Sequence, residues 1–180
     1  MRTGDCCTCL LVLGLAGVYI PEPVAAAEPV TLENVIDPGP NSPAEPLAEK
    51  FSLDRAVRFL DSAALTWQRE RRCFTCHTNY AYLMTRPAID ADAIAHRQVR
   101  AFAEELVSKR WEQQGPRWDA EVVATAAALA INDRTTTGKL HPLTRQALDG
   151  RWSSQRANGS WKWLDCDWPA LEDDDDYGVR

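Results

Sequence analysis

An all-α fold of antiparallel helical hairpins is what this sequence predicts, and three observations predict it. Apolar residues recur at helical spacing in four separate stretches. No stretch alternates apolar and polar residues as a half-buried strand would. Trp67, Trp111 and Trp152 each close one of the amphipathic stretches, at intervals of 44 and 41 residues, within the range of a repeated helical hairpin.

The chain begins with a segment that does not belong to that fold. Cys9 to Ile20 is an uncharged apolar run, Pro21 and Pro23 end it, and Ala25-Ala26-Ala27 offers a small-residue cleavage pattern, so residues 1–27 read as a signal peptide. The run falls short of the roughly 20 residues that a membrane span needs, and no stable span is expected after cleavage. A retained anchor is the competing reading. No cysteine follows Leu15-Ala-Gly17, which leaves lipid attachment unsupported. Cleavage after Ala27 would remove Cys6, Cys7 and Cys9 and leave Cys73, Cys76 and Cys166. An odd number in an oxidising compartment argues for a use other than a disulfide framework. The expected location is the periplasm or cell envelope.

Residues 28–51 carry Pro29, Pro38, Pro40, Pro43 and Pro46 with few bulky apolar side chains, the composition of a flexible linker. Residues 52–180 form the helical domain. Ser52 can cap a helix whose apolar face is Leu53, Ala56, Val57, Leu60, Ala64 and Trp67. Val99, Phe102, Ala103 and Leu106 repeat the spacing ahead of Trp111. Val122, Val123, Ala126, Leu129 and Ala130 do so again. Pro142 suits a first helical turn, followed by Leu143, Ala147, Leu148 and Trp152.

Composition narrows the function. A chain of 180 residues with 45% hydrophobic residues supports one domain, and 20 Lys plus Arg against 26 Asp plus Glu leaves a net charge of -6. Without an excess of positive charge to gather phosphates, a nucleic-acid partner is not expected. Seven Trp demand an account, since each buries a large surface and brings an N–H to satisfy.

Gln155-Arg-Ala-Asn-Gly159-Ser-Trp161 is a Gln-x3-Gly-x-Trp turn, and Gln113-Gln-Gly115-Pro-Arg-Trp118 is a degenerate copy at the expected period. On these residues, from about Ser52 to Tyr177, the chain resembles the α/α-toroid superfamily of squalene-hopene cyclases and prenyltransferase repeats. The resemblance implies a partial α/α-toroid-like array in which the Gln amide ties neighbouring helix ends and stacks on the Trp. A closed toroid needs several more hairpins, so further C-terminal repeats are expected and the domain reads as truncated. The resemblance also implies a candidate catalytic set. Class II cyclases protonate an alkene from a D-x-D-D motif, which Asp173, Asp175 and Asp176 formally satisfy. A solvated acidic turn is the competing reading for that run.

Cys73-Phe-Thr-Cys76-His77 is the C-x-x-C-H pattern of covalent haem attachment. Both thiols add to the haem vinyl groups and the adjacent imidazole becomes the proximal ligand of the iron. With 6 Cys and 3 His in the chain, chance yields about 0.003 such matches, so accident is the weakest rival. A Cys73–Cys76 disulfide and a zinc site recruiting Cys166 or a distant His remain open. The cofactor expected is one covalent haem c, held by Cys73, Cys76 and His77. The distal ligand is unassigned, with His141 ahead of His96, and an empty position stands beside both. His96 and His141 each read equally as surface or capping residues. Met84, seven residues beyond His77, reads as a core contact. Arg69, Arg71 and Arg72 could pair with haem propionates or simply solvate a helix end.

Together these predict an exported haem protein of electron transfer or redox sensing, with a redox partner protein. A cyclase-like or prenyltransferase-like enzyme and a non-catalytic scaffold, each with a structural C-x-x-C-H, are the alternatives.

Overall fold

Ser52 starts the first helix as its composition suggests. In a computed structural model that describes residues 28–40, 42–72, 78–110, 118–162 and 176–177, the Ser52 hydroxyl accepts from the Arg55 N–H at 3.3 Å. Helix α1 (Leu53–Arg71) then carries Asp54 in its first turn and Arg69 and Arg71 in its last, the signs that suit the helix dipole. It stops at Arg72, whose φ of 48° is left-handed and whose N–H returns to the Gln68 carbonyl at 3.1 Å.

Helix α2 (Asn79–Thr85) and the single turn α3 (Pro87–Asp90) follow, with Pro87 at a position where a missing N–H costs nothing. Helix α4 (Ile94–Glu105) widens into a π-helical turn at Leu106–Arg110. Helix α5 (Trp118–Thr136) ends at Gly138, whose φ of 69° lets its N–H reach the Asp133 carbonyl at 2.8 Å. Helix α6 (Pro142–Ser153) starts under His141, whose Nδ1 accepts from the Leu143 N–H at 3.4 Å. A two-residue ribbon closes the described fold, β1 (Trp161–Lys162) antiparallel to β2 (Asp176–Tyr177), with Trp161 opposite Tyr177.

The protein is all-α. Helix α5 packs most closely against α6 and α2, and α1 against α4. Leu65, Leu83, Val99, Leu106, Val107 and Leu129 fill the space between them with no more than 1% of their surface exposed. Val99, Ala103, Leu106, Val123, Ala126, Leu129 and Ala147 are buried on the faces that helical spacing assigned to them. No helix among the described residues is long and apolar enough to cross a membrane.

Three expectations change. The buried side of α1 is Asp61, Ala64, Leu65 and Gln68, whereas Leu53 and Leu60 are 50% and 44% exposed. A buried carboxylate is tolerable only when paired, and Asp61 is held by Arg86 through Nε at 2.8 Å and Nη2 at 3.1 Å. That pair turns the helix away from its most apolar stripe. Trp152, expected in the core, is 56% exposed and lies instead against Arg151 and Trp161.

The linker expected over residues 28–51 is not uniform. Thr31 to Asn34 form a turn, and Val30 and Val35 on either side of it join the core. Arg69 donates to the Val35 carbonyl at 3.0 Å, the Leu32 N–H to Gln98 Oε1 at 2.9 Å, and Arg58 to the Glu28 carbonyl at 2.6 Å. Two valines offer enough apolar surface to seat this strap on α1 and α4 despite the prolines around it. From Ile36 to Lys50 the described residues are exposed.

Candidate functional site

Three places were marked by the sequence, and the fold treats each differently. The residues of the first, Cys73, Cys76 and His77, lie outside the described residues. Its borders do not. Helix α1 ends at Arg71 and α2 begins at Asn79, so the motif joins two packed helices. Asn79 is completely buried, and its Nδ2 donates to the Ala64 carbonyl of α1 at 3.1 Å.

Four buried polar atoms on these borders have no hydrogen-bond partner: Thr66 Oγ1, Trp67 Nε1, Gln68 Oε1 and Asn79 Oδ1. A native fold leaves few such atoms, because each carries the full cost of its lost hydration. Among the described residues two more such atoms, Thr144 Oγ1 and Arg151 Nε, belong to α6. Arg71 reaches over the Trp67 ring at 5.5 Å from its centroid. Arg69 is engaged by Val35, and Arg72 also has a partner.

The second place is the Gln-x3-Gly-x-Trp turn. Gln155 Nε2 donates to the Gly159 carbonyl at 2.8 Å, within its own turn rather than to another helix end. Gly159 takes a φ of 87°, which closes the turn. Trp161 Nε1 donates to the Arg151 carbonyl at 2.7 Å and so fastens the turn to the end of α6. The Arg151 guanidinium lies 4.8 Å from the Trp161 ring centroid and 5.1 Å from that of Trp152. Gln113 and Gly115 of the degenerate copy, with Trp111, lie outside the described residues.

The third place is the acidic run. Asp173 and Asp175 lie outside the described residues, as does Cys166. Asp176 contributes backbone to β2, opposite Lys162.

The two remaining histidines are both engaged. His96 is 2% exposed, not the surface residue its polar neighbours suggested. Its Nδ1 bonds the Ala91 carbonyl at 2.8 Å and its Nε2 the Asn132 amide nitrogen at 2.7 Å. Those partners require the neutral ring with its proton on Nδ1. Burial lowers its pKa below the ordinary histidine value, and the positive charges of Arg100 and Arg86 act in the same direction. His141 uses Nδ1 to cap α6, and the same atom lies 3.6 Å from Glu104. Met84 packs against the core as its position suggested.

Sequence reasoning missed a polar network that spans four helices. Asn132 donates to the Leu83 carbonyl at 2.7 Å as well as to His96, and its oxygen accepts from Arg100. Arg100 also holds Asp133 at 2.7 Å and Glu104 at 2.8 Å, and Asp133 accepts the His141 N–H at 2.7 Å. The one available signal was Asn132-Asp133 interrupting an apolar helix. Tyr82 donates to Asp61 at 2.6 Å in the neighbouring cluster, where burial, and next the carboxylate it bonds, raise its pKa above the usual phenol value. Among the described residues no group of three His, Cys, Asp or Glu could hold a metal ion. Compared with known proteins, the chain matches no family model, no curated protein and no solved structure.

Proposed function

We propose that this is an exported helical protein carrying one covalent haem c on Cys73 and Cys76, with His77 as the proximal iron ligand, and that it serves electron transfer or redox sensing. The observation that carries the reading is the C-x-x-C-H motif between two packed helices, with unpartnered buried polar atoms on residues 66–68 of the first and on Asn79 of the second. The bordering residues fit such a group. Haem presents a large apolar face and two carboxylates, and its ligating imidazole presents an N–H. An indole N–H and a hydroxyl can meet a carboxylate, and two amide oxygens can meet an N–H.

When bound, the group supplies a one-electron iron couple. The chain's own part is to hold it. Cys73 and Cys76 would hold the group covalently, Arg71 at the end of α1 would offer a cation to its carboxylates, and the Asn79 amide ties α2 to the Ala64 carbonyl of α1. The apolar run of residues 1–27 supports export, which haem attachment of this kind requires. A partial α/α-toroid-like scaffold as the finer form of the fold rests on the sequence of the Gln155 to Trp161 turn, whose Gln155 amide closes on Gly159 and not on another helix end.

The deciding experiment is expression with its leader in a host that attaches c-type haem. The expected result is a gain of one haem in the mass of the chain and a Soret band that survives denaturation, both lost in Cys76→Ala. A colourless protein with its thiols free or joined to each other overturns the reading.

A further inference from the structure

The buried pairing of Asp61 with Arg86 turns one side of α1 inward and leaves an apolar stripe on another side, away from the core. Leu53, Ala56, Phe59, Leu60 and Ala63 are linked by spacings of three and four, so they share one helix face. Phe59 is 51% exposed beside the half-exposed Leu53 and Leu60. Just before the helix, Leu47 is 95% and Phe51 84% exposed. Contiguous exposed apolar side chains with a polar border mark a surface that meets something else.

The same segment gathers positive charge. Residues 49–72 hold Lys50, Arg55, Arg58, Arg69, Arg71 and Arg72, all exposed, against the exposed Glu49, Asp54 and Glu70. Asp61 is the fourth carboxylate, and Arg86 pairs with it in the interior. Six cations and four carboxylates give +2 here, while the remaining 14 cations and 22 carboxylates give -8. Arg58 and Arg69 bond backbone carbonyls of the strap, which are neutral and leave their charge in place. Arg55 stands one turn before Phe59, on the edge of the stripe.

Charge and shape select what meets this face. A second copy would bring the same cations to the seam, where like charges oppose contact. A folded partner would need hollows matched to each protruding ring, whereas a bilayer interface admits apolar side chains without a matching shape. We infer that α1 lies on an anionic lipid surface. Phe51, Leu53, Phe59 and Leu60 enter the headgroup boundary, and the cations beside them meet lipid phosphates. The helix lies on the bilayer and does not cross it, since seven of its 19 residues are charged. Nothing in this surface depends on a cofactor.

The test is co-sedimentation of the full chain with vesicles of phosphatidylcholine, with and without about one third phosphatidylglycerol. The leader is the same in every variant, so attachment through it would be insensitive to them. The expected result is binding to the anionic vesicles that weakens at least about tenfold in Phe51→Ser with Phe59→Ser, and similarly in Lys50→Gln with Arg55→Gln. High salt should weaken it as well. These side chains face solvent, so melting temperatures should stay near that of the wild type. If one pair fails to fold, the other pair and the salt dependence still decide. No binding of the wild type to anionic vesicles overturns the inference. So does binding that neutral vesicles match, or that both pairs of substitutions leave intact. A dimer, or a complex with polyglutamate, that the same substitutions abolish while vesicles are ignored would give the face to a protein partner instead.

Discussion

Asp61 and Arg86 meet through two parallel hydrogen bonds in a place where neither side chain is more than 8% exposed. Removing one partner leaves the other charged and dry, so Arg86→Met should cost about 3–5 kcal/mol in urea denaturation, while the double change Asp61→Leu with Arg86→Met recovers much of that loss. His96 sets a pH dependence. Its folded-state pKa lies below its unfolded value, so the unfolded chain binds the extra proton, and stability falls as pH drops below about 6.5. Substituting His96→Gln should flatten that part of the stability profile, read from denaturation midpoints between about pH 7 and pH 5. Met84 packs on the core, so Met84→Leu should shift stability by less than about 1.5 kcal/mol and, under the proposed haem reading, leave the haem spectrum unchanged. The appearance of a long-wavelength Met–iron band in the wild type that this change abolishes would place Met84 on the iron instead.

At the scale of elements, the spacing of apolar residues was enough to find the helices but not always their inward faces. Ser52 and Pro142 mark real starts because capping and a fixed φ act through neighbours in sequence. The face of α1 was misplaced because Leu53 and Leu60 outweigh Asp61 in any apolar pattern, and the partner that buries Asp61 stands 25 residues away. His96 was unreadable for the same reason, since Asn132 is 36 residues distant. The Gln155 turn was readable because its contacts are local, yet the direction of the Gln155 hydrogen bond was not, and it closes on Gly159 instead of bridging to another helix. Gly159→Ala should cost about 1 kcal/mol or more in thermal unfolding. A Cβ there meets only Gln155 Nε2 at 4.0 Å, so the cost comes from the φ of 87° and not from crowding. Tolerance of alanine at this position would show that the turn relaxes to another conformation.

Across the whole molecule, the strap of residues 29–35 is part of the domain although its composition reads as linker. Five prolines concealed two valines whose burial depends on surfaces made by α1 and α4. Double substitution of Val30 and Val35 by Ser should lower stability by about 3 kcal/mol, from some 1.5 kcal/mol for each buried valine, and the loss should show as a reduced melting temperature. An unaltered melting temperature would mean that the strap docks without contributing. The α1–α2 junction was legible as a motif and nothing more, since the sequence could name the cysteines and histidine but not the unpartnered atoms around them.

The strap's longest contact also bears on when the segment can dock. The bond between the Leu32 N–H and Gln98 Oε1 joins residues 66 apart, whereas the turns of α1 and the caps at Ser52, Gly138 and His141 close within a few residues. Closing the longer loop consumes more chain entropy and yields no contact until both α1 and α4 present their surfaces. Docking of this segment is therefore expected to follow assembly of α1 and α4, and Val30→Ser should speed unfolding more than it slows folding.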